Sequence, residues 1–233
     1  MWENKQVLRQ LADLLKSEFF AVIKEFCGKS VGKYWLTGVI PAFRDGLSPL
    51  AATEVISFKP QYQSLCGFTQ EDVNAIVTRA LPESERATAL DFLKRWYNGY
   101  MFSPHGPDNP TLYNPQHVFF YLQDFISGSM SLSCTDEADA VHTRKALSIV
   151  GEISPVMIYD LVGMLSTKAS ANILTELSFV ELMQEYKVLS WDMAWSLLYY
   201  LGIVTFCEAS DYQKWGAHSL RVPNDGMDHV VSP

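Results

Sequence analysis

Apolar residues recur at helical spacing along the first part of the chain. Leu8, Leu11, Leu15, Phe19, Val22 and Phe26 follow one another at steps of three, four, four, three and four, which predicts one apolar face of a helix over residues 5–27. Gly28 supplies a stop. The pattern then changes. Tyr34 to Ile40 is short, aromatic and β-branched and runs into Pro41, so it predicts a buried strand. A long helix feeding a buried strand is half of a crossover unit, and a parallel sheet is therefore expected. Glu54 to Phe58 is a second strand candidate, after a loop holding Arg44, Asp45 and Gly46.

Beyond Pro60 the pattern is helical. Thr69 with Asp72 three residues on is a capping-box-like start for a helix over Glu71–Ala80, although Asp is a weaker partner there than Glu. Ala89, Leu90, Leu93, Trp96 and Tyr97 mark a second amphipathic helix, closed by Asn98-Gly99. Tyr100–Phe102 and Thr111–Tyr113 flank a turn rich in Pro and Gly and predict a small hairpin with a long loop. Asn114 as cap and Pro115 at the first helical position open a helix over Gln116–Ile126. Residues 127–139 are small and polar and read as a loop or subdomain boundary. Helical patterns cover residues 140–150, 154–165 and 189–201. Leu201–Phe206 and Ser219–Val222 then read as strands, and helices followed by a terminal hairpin suggest a winged-helix-like end.

Composition narrows the class. The 233 residues suffice for one large domain or two small ones. Apolar residues at 48% and aromatics at 13% mark a packed chain, not a disordered one. The net charge of -8 argues against nucleic acid, whose phosphates need clustered Lys and Arg. The largest basic group, Lys24, Lys29 and Lys33, is interrupted by Glu25 and reads as a solvated helix end. Cys27, Cys66, Cys134 and Cys207 lack zinc or redox spacing. The start of the chain has no secretory apolar core, and no apolar run approaches the roughly 18 residues of a membrane span. The expectation is an intracellular, cytoplasmic protein with no membrane partner.

Motifs for chemistry are sparse. Gly28-Lys29-Ser30 resembles the tail of a phosphate-binding loop, but Ile23 stands where the leading glycine belongs. Its context is also inverted, with a helix before it and a strand candidate after it. It reads as a helix C-terminal turn. No nucleophile elbow, no Gly-x-Gly-x-x-Gly fingerprint and no paired histidines at metal-ligand spacing occur. No catalytic or metal-binding residue is therefore assigned. Trp96-Tyr97-Asn98-Gly99-Tyr100 reads either as a stacking platform for a ligand or as a helix end turning into a hairpin over packed aromatics. The Asn-Gly turn dipeptide favours the second.

Four segments together resemble a known family. Trp35-Leu36-Thr37-Gly38-Val39-Ile40-Pro41, Leu65 to Val73, Trp96 to Phe102 and Leu112-Tyr113-Asn114-Pro115 fall in the order and spacing of the AAA-ATPase-like family, a module often joined to a PD-(D/E)XK nuclease-like domain in bacteria and also found in fungi. Trp195 to Thr205 and Leu220 to Asn224 are similar to its late segments. The resemblance implies an α/β fragment, the C-terminal part of a P-loop-type core, over residues 1–58. A mostly helical lid with a small hairpin follows over 59–130, and a helical, winged-helix-like end over 131–233, giving a mainly α chain overall. It implies that Thr37 ends the sensor strand, where its hydroxyl meets γ-phosphate or the attacking water. The alternative is a buried Thr bonded to its own backbone. Asp45 matches an acidic residue that follows this segment in the family.

The departures are as informative. ATP and Mg are implied by the family alone. The Walker A loop and the Walker B strand lie upstream of the first helix in the family, so the chain reads as a truncated copy that binds neither on its own and does not hydrolyse ATP. No Asp…Glu-x-Lys nuclease cluster is present. A core without its first strands leaves sheet edge and helix faces open, and the expected occupant is a protein partner or a full-length paralogue.

Overall fold

Of the apolar stripe at the start of the chain, Leu15, Phe19, Val22 and Phe26 lie on helical backbone, and none of the four is buried. The structure, a computed structural model, describes Val7, Gln10 and residues 13–41, 54–104, 110–128, 169–177, 190–207 and 218–231. A π-helical turn, Leu15–Phe20, runs directly into α1, Ala21–Phe26. None of the α1 residues is buried. Gly28 stops the helix at φ 79°, a conformation open to glycine at little cost.

The segment from Tyr34 to Ile40 is not a strand. Residues 32–38 have no regular structure, and Trp35, Leu36 and Val39 face solvent. Glu54 to Phe58 is likewise irregular, ending in a turn. The reason lies in what strand propensity measures, which is fit to a half-buried pleated surface. No described strand pairs with either segment, so the propensity has no ladder to act on. The expected parallel sheet is accordingly absent from the described residues, and Asp45 and its loop lie outside them.

Three helices then build a first core. In α2, Gln70–Ala80, the capping box forms with Asp72. Asp72 N–H donates to Thr69 Oγ1 at 3.2 Å, while the Thr69 N–H and hydroxyl both donate to the Asp72 carboxylate, at 2.9 and 2.7 Å. These bonds hold the Asp72 carboxyl below its ordinary pKa, the Thr69 backbone N–H first among them. Helix α3, Glu83–Tyr97, and α4, Pro115–Ser127, follow. Asn114 caps α4 by accepting Gln116 N–H, and Gly128 ends it in the left-handed region. Val73, Val77, Leu93, Tyr113, Val118 and Leu122 fill the space between the three. The Phe92 ring stacks on Tyr121 at 4.9 Å.

A second core surrounds a small antiparallel sheet in the order β1-β3-β2, made of Ala169–Ala171, His218–Arg221 and Thr205–Phe206. Ala169 pairs with Leu220 on one side of β3, and Phe206 with Leu220 on the other. Helix α5, Trp191–Tyr200, buries all residues from Met193 to Tyr199 beneath this sheet. The short helix α6, Asp225–Val231, closes the described chain. Both terminal strand candidates are thus real: Leu201–Phe206 shortens to Thr205–Phe206, and Ser219–Val222 shifts by one residue to His218–Arg221. The helices expected at 140–150 and 154–165 lie outside the described residues.

The two cores are tied by residues far apart in sequence. Met101 lies in the second core. Its N–H donates to Thr205 Oγ1 at 2.7 Å, and the Thr205 hydroxyl donates back to the Met101 carbonyl at 2.9 Å. Thr205 is 1% exposed, so neither bond has water as a substitute. The Ser103 hydroxyl donates to the Phe58 carbonyl at 2.9 Å.

Two outcomes are expected. Thr205→Val leaves the Met101 N–H and C=O without partners and costs about 2–4 kcal/mol in urea unfolding, while Thr205→Ser keeps most of the stability. Thr69→Ala removes the hydroxyl bond but keeps the backbone N–H, so it brings the Asp72 carboxyl only part-way back to its ordinary pKa, followed by carboxyl NMR. In the parent, the depressed value means that the α2 cap is intact above the ordinary carboxylate pKa and is lost as pH falls through the depressed one.

Candidate functional site

Thr37, the sensor candidate, stands on exposed irregular backbone. It is therefore not the buried threonine of the alternative reading. Asp45 lies outside the described residues, so no geometry joins the two. Gly28-Lys29-Ser30 is a tight turn after α1. The N–H groups of Lys29, Ser30 and Val31 all converge on the Phe26 carbonyl, at 3.0, 3.1 and 3.0 Å. In a phosphate-binding loop the corresponding amides point at the phosphates. Here they are engaged within the chain, so the tripeptide does not fit ATP. Among the described residues no group of three or more His, Cys, Asp or Glu is placed to hold a metal ion. No described helix is long and apolar enough to cross a membrane.

The aromatic motif at Trp96–Tyr100 meets the late segment Leu220–Asn224, and the two form a junction between the cores. Gly99 sits at φ 118°, and a Cβ placed there would lie 1.9 Å from the Pro223 carbonyl oxygen. Gly226 is comparably tight, with the Trp96 carbonyl oxygen 2.7 Å from a built Cβ. Arg221 closes the junction, donating from Nη2 to the Gly99 carbonyl at 3.1 Å and from Nη1 to that of Pro223 at 3.0 Å. On the surface, Arg95 Nε pairs with Asp225 at 2.6 Å. The aromatics pack underneath: Trp96 stacks on Phe92, and Tyr97 lies 5.0 Å from His117. This is a structural weld, in line with the hairpin-and-packing reading of the motif.

Two tyrosines of α5 are also hydrogen-bonded, one across to the segment after Gly99 and one within the second core. The Tyr199 hydroxyl donates to the Phe102 carbonyl at 3.1 Å, and that of Tyr200 to the Leu174 carbonyl at 2.8 Å. Burial pushes both phenols well above the ordinary tyrosine value, with the Tyr200 neighbour adding to the rise at Tyr199. Each stays a neutral donor throughout the physiological range. Tyr113 is raised by burial too, against opposing hydrogen bonds with Asn98 and with Gln70, whose Oε1 accepts the Tyr113 hydroxyl at 2.6 Å.

What remains exposed is the apolar surface near the start of the chain. Phe19 is 54% exposed, Trp35 61% and Val39 72%, with Val22 and Phe26 also open. The root of this arm is fixed: Leu177 N–H donates to the Pro41 carbonyl at 3.1 Å, and Ile40 packs on the second core. A second patch, which the sequence reading missed, lies on the outer face of α4. Phe119 and Ile126, seven residues apart, are 53% and 67% exposed. Their signal was present as two further apolar positions on a helix whose buried face was already filled by Val118, Tyr121 and Leu122.

Comparison with known proteins adds little. No family model matches the sequence, and no solved structure matches it. A stretch of 106 residues, 45% of the chain, is 32% identical to a protein of Azotobacter chroococcum mcd 1 described as "Uncharacterized protein in vnfD 5'region". The match spans only 19% of that protein's length.

Gly99→Ala is expected to cost about 4 kcal/mol or more, because it combines a positive φ with a backbone clash, and to lower the thermal midpoint by roughly 10 °C. Gly32→Ala, where nothing lies within 4 Å of the built Cβ, is expected to stay within about 0.5 kcal/mol. Circular dichroism melts of the two variants check the contrast.

Proposed function

We propose that this chain is an AAA-ATPase-like protein that does not hydrolyse ATP and acts as a protein-interaction module, docking a polypeptide on its N-terminal arm. The observation that carries the reading is the continuous exposure of Phe19, Val22, Phe26, Trp35 and Val39. Elsewhere the described chain packs two apolar cores, although Leu65, Trp191 and the outer face of α4 at Phe119 and Ile126 are also open. An apolar surface of this kind, bordered by polar residues, is characteristic of a site that another polypeptide covers.

The family part of the proposal rests on the resemblance of Trp35–Pro41, Leu65–Val73, Trp96–Phe102 and Leu112–Pro115. In that reading α2 to α4 correspond to the helical lid. Helix α5 with the β2–β3 pair corresponds to the winged-helix-like end. The engaged amides of residues 29–31 support the non-hydrolysing part.

Two measurements test the proposal. MgATP is expected to leave the thermal midpoint unchanged and to release no phosphate; MgATP-dependent phosphate release that disappears in Thr37→Ala overturns the non-hydrolysing reading. A photo-crosslinking side chain at position 35 is expected to capture polypeptide in cell extract, whereas one at the exposed control position Glu85 is not. Equal labelling from both positions overturns the docking reading.

A further inference from the structure

We draw no further inference here: the strongest candidate, the second apolar patch at Phe119 and Ile126 on the outer face of α4, is an unpartnered helix face, and nothing in the structure shows what covers it.

Discussion

The close approach of Gly99 to the Pro223 carbonyl sets the relation between the two halves of this protein. A backbone contact that tight admits no side chain, and it fixes where α3 ends relative to β3. Arg221 then bonds the carbonyls on both sides of the contact, so the junction is held by charge-assisted bonds as well as by shape. Everything downstream of α3 depends on this placement. Once Gly99 is seated, Met101 falls opposite Thr205, Ser103 opposite Phe58, and Phe102 within reach of the Tyr199 hydroxyl. Two modest cores thereby share one wall.

Local sequence signals recovered most of the helical half, for reasons that are themselves local. A cap such as Thr69 or Asn114 and a stop such as Asn98-Gly99 act within a few residues, and the caps' hydrogen bonds are the ones the spacing implies. The two terminal strands were visible as apolar runs, but pairing trimmed Leu201–Phe206 to Thr205–Phe206. Tyr34–Ile40 failed because a strand depends on a neighbour that spacing alone cannot supply. The candidate site was least legible of all. Thr37 was chosen by resemblance, and its surroundings are solvent. Arg221, which bonds both sides of the junction, is one arginine among several in sequence, and only its fold gives it meaning.

The exposed arm and the welded junction also divide the chain by stability. At the junction Gly99 and Pro223 are buried and Arg221 bonds both of their carbonyls, while the arm is held to the body mainly at its root through Ile40 and Pro41. A surface open on that scale is tolerated most easily where it is soon covered, and in the meantime it is the part of the molecule most prone to nonspecific contact.

The reciprocal bond between Met101 and Thr205 has a consequence for how the protein is made. Its two ends are 104 residues apart in the chain, and the Arg221 bond to Gly99 spans 122. Contacts of such long sequence separation form slowly, because a large loop must close before either bond is gained. The helical half draws on much nearer contacts and can assemble as soon as α4 has left the ribosome. The sheet half has to wait for Arg221. During synthesis Gly99 therefore stands on a folded helical platform with its partner not yet translated, and the nascent chain passes through a stage in which the first core is complete and the second has no wall to close against.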